Sequence, residues 1–249
     1  ELLYGGTAAP THYALLAKRY LHEYGASPDV LPGVAISERK HAALSEEAFR
    51  RDELTLESYK ETKMVADPLR VPDCAVITDG AAAFIVTTLE YARTLKKPPV
   101  HILGLGGKNT HWQISQAPPL HGLGVRDSKS IAFGQAGVTI DDIDVAEIYD
   151  CFSIAAILQL EALGFCGEGE ASEFVLSGQM EIGRGRCPIN TDGGLLSYAH
   201  VGGLVRVIEA VRQLRGEAGP RQVVNPQVAL VTSIAGWVAT HYTAVLAKV

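Results

Sequence analysis

What the sequence lacks narrows it first. No apolar run reaches the roughly 18–20 residues that crossing a bilayer requires, so no membrane-spanning helix is predicted. The opening residues carry no signal-peptide pattern. The Gly-x-Gly-x-x-Gly spacing of a dinucleotide fold is absent, and so is the Gly-Lys-Ser/Thr of a phosphate-binding loop. Lys and Arg total 22 against 28 Asp and Glu, a formal charge of −6, which argues against nucleic acid as a partner. Cysteines number four (Cys74, Cys151, Cys166 and Cys187) and none forms a Cys-x-x-Cys pair. Scattered, reduced thiols of a cytoplasmic protein are expected ahead of a disulfide framework, and no Cys/His spacing predicts a metal site. What remains is packed-protein material: 249 residues, 47% apolar and 20% charged, enough for one large domain or two small ones. The chain begins at Glu1 rather than Met, which predicts a piece of something longer.

The order of elements predicts an α/β fold. Residues 11–25 read as a helix, capped by Thr11 and stopped by Gly25, and a second helix is predicted over 28–36. The polar stretch 37–73 reads as a surface excursion, with Thr55 capping a short helix. Residues 74–80 are predicted as a strand and turn, 81–87 as a β-type run of small apolar residues, and 89–95 as a helix. From residue 100 onward, strands (100–104, 145–149, 228–233, 241–248) alternate with helices (126–137, 152–163, 203–215), and the helices end at Gly137, Gly164 and Gly216. Such alternation points to layers of helix and sheet.

Three segments place polar, small and titratable residues at strand ends, where ligands bind in sheets of this kind. The first is Glu147-Ile148-Tyr149-Asp150-Cys151-Phe152-Ser153, at a strand-to-helix junction. Tyr149, Asp150 and Cys151, three groups able to transfer protons, follow each other there. The competing reading has Asp150 or Ser153 capping the helix and Tyr149 packing. The second runs from Asn190 through Gly193-Gly194, Ser197, Tyr198 and His200 to Gly202-Gly203. Its glycines suit close approach of backbone to a ligand, or a plain glycine-rich loop. The third, Val231 to Tyr242, carries Ser233, Gly236 and His241 between the last two strands. His241 is either a proton carrier or an ordinary strand-start histidine. The remaining histidines, His12, His22, His41, His101, His111 and His121, read as packing or solvent residues.

Taken in order, these segments resemble the thiolase superfamily, and within it the sterol-carrier-protein-x type. Tyr149-Asp150-Cys151-Phe152 stands at the family's Asn-Glu-Ala-Phe segment. Asn190 to His200 stands at its Gly-Gly…Gly-His-Pro segment, and Ser233-Ile234-Ala235-Gly236 at its Cys-x-Gly-Gly segment. Asp79-Gly80-Ala81-Ala82-Ala83 is similar to the family's Asp-Gly-Ala-Ala, and His22 to Gly25 and Arg39 to Leu44 are similar to its cover region. The resemblance implies a layered α-β-α-β-α fold. Residues 1–73 would be the cover region, 74–98 the last strand and helix of the N-terminal core half, and 99–249 the C-terminal core half. Most of the N-terminal half would be missing.

The departures from the family pattern direct the chemistry. Tyr149 replaces the Asn of the first segment, and Ser233 falls where the late acid/base Cys belongs. A serine hydroxyl does not replace a thiol of pKa about 8.5 near neutrality, so thiolysis by the usual route is not expected. A retro-aldol cleavage needs only a base for a β-hydroxyl and a proton donor for the departing enolate. The resemblance therefore implies the thiolase-like aldolases that shorten steroid side chains. These convert a 17-hydroxy steroid carboxyl-CoA into a 17-keto steroid and propionyl-CoA, with coenzyme A only as part of the substrate and no cofactor. It implies Tyr149 and Tyr198 as the acid/base pair, His200 on the thioester oxygen, Asp150 orienting Tyr149, and His241 as an addition. Gly193, Gly194, Ser197, Ser233 and Gly236 are the substrate-binding candidates. A homodimer through the missing half and an OB-fold/zinc-ribbon partner in a heterotetramer are implied as well. The alternatives are an acyl-CoA acyltransferase whose nucleophilic Cys lies in the missing part, and a non-catalytic thiolase-like subunit.

Overall fold

A computed structural model describes residues 3, 5, 6, 8–120 and 123–249; His121 lies outside them. The centre is α6 (Ser153–Leu163), in which every residue is buried. Its sequence, SIAAILQLEAL, is apolar on all sides, the composition of a helix wrapped by protein rather than resting on a surface. The N-terminal helices α1 (Ala9–Tyr24) and α2 (Val30–Ala43) pack against it.

A four-stranded mixed sheet lies beside α6. Its order is β3 (Val100–Asn109), β6 (Thr240–Lys248), β5 (Val228–Ala235), β4 (Val145–Glu147); β4 and β5 are parallel and the other pairs antiparallel. Side chains alternate across it, as strand geometry requires. Val145, Ala229, Val231 and Leu246 meet Ala210 and Leu214 of α9 (Leu204–Arg215) on one face. Ala146, Leu230 and Val245 join the main core on the other. There α5 (Val125–Ala136) lies directly on β3, because that strand carries glycine where the helix crosses. A Cβ on Gly104 would sit 2.0 Å from the Ala132 carbonyl oxygen, and one on Gly106 would sit 1.9 Å from that of Ser128. The helix–sheet–helix layering is the one the alternation predicted, and α6 and α9 end at Gly164 and Gly216 as expected.

Three expectations are corrected. The second helix does not stop at residue 36, and residues 37–43 are not a surface excursion. They complete α2, with Ser37, Glu38, Arg39, His41 and Ala42 all buried. Glu38, Arg39 and His41 meet Asn190 and Ser197 from the second half of the chain, and Arg39 also meets the nearby Asp52 carbonyl, so polarity there does not mean solvent. Residues 74–80 form no strand, only single bridges from Cys74 to Phe152 and from Ile77 to His200. Residues 81–87 form none either, because no strand in the described residues offers them hydrogen bonds, and Ile85 is 90% exposed. Elsewhere, Thr55 caps α3 (Leu56–Glu61) as predicted, accepting from the Ser58 amide at 3.1 Å. Next, β1 (Met64–Ala66) and β2 (Leu69–Arg70) make a small hairpin. The short helices α4 (Leu89–Ala92), α7 (Ala171–Leu176) and α8 (Gly194–Ser197) complete the fold.

Candidate active site

The first and second sequence segments converge where β4 runs into α6. Asn190 holds both, its Oδ1 accepting from the Ile148 amide at 2.7 Å and its own amide donating to Ala146 O at 2.9 Å. The Tyr149 backbone is fixed on both sides: its N–H donates to Thr232 Oγ1 at 3.1 Å, and its carbonyl accepts from Gln159 Nε2 at 2.6 Å. His200 follows the loop after α8, its amide donating to Thr78 Oγ1 at 3.0 Å.

These anchors bring Tyr149 Oη within 3.0 Å of His200 Nε2. Both side chains border a cavity of about 840 Å³. Its walls are largely apolar, with Tyr13, Phe152, Val76 and Trp237 among them and Arg50 near its rim. Burial, reinforced by Cys151 and Asp150, pushes the Tyr149 hydroxyl pKa well up, so it stays protonated. Burial likewise pulls His200 below the ordinary histidine range, although Asp150 opposes it. At neutral pH the pair is therefore neutral, with one shared proton on the Oη–Nε2 line.

The wall at Trp237 is an unusual backbone feature. Gly236, Trp237 and Val238 take φ values of +56°, +57° and +63° in succession. The Ala239 amide closes this left-handed turn onto the carbonyls of Ala235 and Gly236. A bulky residue and a β-branched one are rarely found in that region of backbone space. His12 stacks on the Trp237 ring with centroids 4.4 Å apart.

Of the residues singled out from sequence, Tyr149, His200 and Gly236 border the cavity. Ser233 stands next to them: a Cβ on Gly203 would lie 2.7 Å from Ser233 Oγ and 3.7 Å from Tyr149 Cδ2. Tyr198 does not join the cavity lining. Its hydroxyl donates to Glu47 Oε2 at 2.8 Å, beside Arg212, and burial together with Glu47 raises its pKa to about 12. Ser197 is buried and accepts from Arg39 Nε at 3.0 Å. Gly193 abuts Ala42, and Gly194 abuts the carboxyls of Asp150 and Glu38. These two glycines make room for side chains of α2 and the β4–α6 junction and are not cavity wall. His241 is buried, donates from Nε2 to Val238 O at 2.8 Å, and is pushed down to about 4 by burial. It supports the left-handed turn and does not border the cavity.

Sequence reasoning missed the polar network beneath the pair. Arg206, on α9 and fully buried, donates to Asp192 Oδ1 and Oδ2 at 2.7 Å each and to Glu147 Oε2 at 3.1 Å. Glu209, Thr191 and Arg221 extend the network. Cys74 and Cys151 also border the cavity, and burial pushes both thiols up to about 12. Neither is a thiolate near neutrality. Among the described residues no group of three His, Cys, Asp or Glu side chains is arranged to hold a metal ion.

A helix–sheet–helix core with its cavity at the β4–α6 junction is a thiolase-type architecture. The model of the family described as "Thiolase C-terminal domain-like" matches residues 106–248, and the chain belongs to that family. It is 38% identical over 231 residues to the 17-hydroxy-3-oxo-4-pregnene-20-carboxyl-CoA lyase of Mycobacterium tuberculosis, covering 90% of this chain and 58% of that protein. It is 36% identical over 247 residues to the steroid side-chain-cleaving aldolase of Thermomonospora curvata, covering 94% and 62%. The solved Ltp2-ChsH2(DUF35) aldolase superposes with a TM-score of 0.90 at 32% identity, covering 99% of this chain and 65% of that one. The chain thus spans about 60% of the length of these relatives. Among the described residues no helix is long and apolar enough to cross a membrane.

Proposed function

We propose that this chain supplies the C-terminal part of a thiolase-like aldolase. The reaction is retro-aldol cleavage of a β-hydroxy acyl-CoA, a 17-hydroxy steroid side-chain thioester, to a 17-keto steroid and propionyl-CoA. The observation that carries this reading is the hydrogen-bonded Tyr149–His200 pair on the wall of a large apolar cavity. Ser233 stands beside it where the related transferases use a thiol. The names of the two curated relatives, a carboxyl-CoA lyase and a steroid side-chain-cleaving aldolase, support the same substrate class.

In this mechanism Tyr149 Oη accepts the substrate's β-hydroxyl proton as it passes its own proton to His200 Nε2. The O–H electron pair becomes the ketone π bond, and the Cα–Cβ bond breaks. Its electrons move onto Cα and delocalise into the thioester as an enolate. The proton then returns along the same line to Cα. No second substrate is consumed. General acid–base catalysis of this kind is worth roughly 10²–10⁴-fold in rate. Tyr198, anchored on Glu47, fixes the loop that carries His200 and does not transfer protons. Asp150 holds the electrostatics behind the pair, and Gly236 is the substrate-facing glycine. A homodimer and a heterotetramer with an OB-fold/zinc-ribbon partner belong to the same proposal; the DUF35 component in the name of the solved relative supports a second protein in the assembly.

The test is a product assay on the full-length protein, with and without the partner, using a β-hydroxy steroid-CoA and no free CoA. Release of a ketone and a short acyl-CoA is the expected result. No product under these conditions, with cleavage of a 3-ketoacyl-CoA once free CoA is added, overturns the reading in favour of an acyltransferase.

A further inference from the structure

Glu38 lies in the polar half of α2, far from the cavity segments in sequence, and its side chain is fully buried. Oε1 accepts from Asn190 Nδ2 at 2.9 Å. Oε2 turns toward the Asp150 carboxyl, and neither Glu38 Oε2 nor Asp150 Oδ1 has another hydrogen-bond partner. They converge on Gly194, where a Cβ would lie 2.5 Å from Glu38 Oε2 and 2.2 Å from Asp150 Oδ2. Only a glycine leaves space for this contact. Two carboxylates cannot both be ionised at such range in a buried site, so a proton must lie between them.

The surroundings decide which carboxyl keeps the charge. Asp150 Oδ2 accepts from the Leu196 amide at 3.1 Å and faces the Arg206 guanidinium. Arg206 is itself shared with Glu147 and Asp192. Glu38 has one side-chain amide, and burial is the largest influence on it. Burial raises both carboxyls, Glu38 further than Asp150, so Asp150 carries the negative charge and Glu38 the proton. The charged residue is adjacent in sequence to Tyr149, and its field reaches both Tyr149 and His200.

We propose that Glu38 is a positioning residue for the Tyr149–His200 pair: it donates a proton-bearing carboxyl to Asp150 and so keeps a single negative charge fixed behind the pair. The proposal rests on the reading of Tyr149 and His200 as the reacting groups. Its test is independent of turnover, so a protein that fails the aldolase assay can still confirm or refute it.

The experiment uses the intact protein, ligand-free, in complex with its partner if it purifies as one. Two readouts are taken. The first is the infrared carbonyl band of protonated carboxylic acid at pH 7, compared between wild type and Glu38→Gln. The second is the titration of His200 by histidine-selective ¹³C NMR, assigned with His200→Gln. Glu38→Gln is expected to lose one protonated-carboxyl band and to leave the His200 titration in place, because the amide still donates to Asp150. Asp150→Asn removes the charge that opposes the lowering of His200, so the titration moves further down. Glu38→Leu leaves Asp150 buried without its donor and drives it to bind a proton, so His200 follows Asp150→Asn. An unchanged infrared spectrum in Glu38→Gln overturns the proposal, as does a His200 titration that does not respond to Asp150→Asn. If Glu38→Leu does not fold, the infrared comparison and Asp150→Asn decide the matter by themselves.

Discussion

Replacing Arg206 with Met tests the electrostatic floor of the site. The guanidinium, at 0% exposure, makes three charge-assisted hydrogen bonds to Glu147 and Asp192, which are 0% and 1% exposed. Methionine fills part of the volume but leaves two buried carboxylates facing each other. Breaking a buried pair by removing one partner costs about 3–5 kcal/mol, because the uncompensated charge stays behind. At roughly 2–4 °C per kcal/mol for a protein of this size, Tm falls by roughly 6–20 °C. The loss depends on pH in a stated direction. Burial and Asp192 already raise the Glu147 carboxyl in the wild type, and without the cation, which opposes this, it rises further, so its folded pKa lies still higher above its unfolded value. The folded variant then holds more protons than its unfolded chain, and its stability declines as pH rises. The deficit against wild type is therefore larger at pH 8 than at pH 5. Thermal unfolding at those two pH values, with urea denaturation as a check, measures both. A fall in Tm below about 2 °C, or a deficit that does not change with pH, refutes the argument, since either would mean that the carboxyls find other compensation.

Four further outcomes follow from the site geometry. Tyr149→Phe lowers kcat in the aldolase assay by about 100-fold or more with little change in KM, because it removes the relay oxygen and leaves the cavity wall. Since burial holds His200 below the ordinary histidine pKa of about 6.5, the acidic limb of kcat/KM lies below pH 6.5; a limb above it would show that the imidazole is charged at neutrality. Tyr198→Phe, which disturbs the contacts to Glu47 and Arg212 away from the cavity, reduces kcat by less than the tenfold expected of a proton-transfer residue. Iodoacetamide at pH 7.5 leaves Cys74 and Cys151 unmodified over a period that alkylates free cysteine, as peptide mass spectrometry would show; rapid labelling of either would contradict thiols held near pKa 12.

The readable parts of the sequence were those in which local chemistry and tertiary role coincide. The apolar run of α6 predicts a buried helix and is one, and Gly164 marks its end because no other residue there takes the left-handed turn as easily. The order of the three polar segments carried the family and the fold. Where local and tertiary roles part, the sequence misleads. Residues 37–43 look solvent-exposed because they are polar, yet their partners, Asn190 and Asp150, are supplied from more than a hundred residues away. Residues 81–87 have strand chemistry but no strand beside them among the described residues. The pairing of Tyr149 with His200 is separated by 51 positions, and no spacing rule reports it. The resemblance pairs Tyr198 with Tyr149 as acid and base and sets His200, its neighbour in the same motif, on the thioester oxygen. The backbone at Tyr198, with φ −77° and ψ −76°, leaves the helix there and sends the Tyr198 and His200 side chains to different surroundings.

The left-handed turn at Gly236–Val238 has a consequence for how a ligand meets this site. A flexible loop must be ordered when something binds, and each rotamer-rich side chain it immobilises subtracts about 0.5–1.5 kcal/mol from affinity. Here the backbone is already locked in a conformation it would not adopt alone, and the Trp237 ring is clamped by His12 before any ligand arrives. That entropy is spent during folding, so the indole face is offered to an incoming apolar ring system as a finished surface. The site is prepared to choose by shape more than by adapting itself, and ligands that do not lie flat against the indole gain little from a wall that cannot follow them.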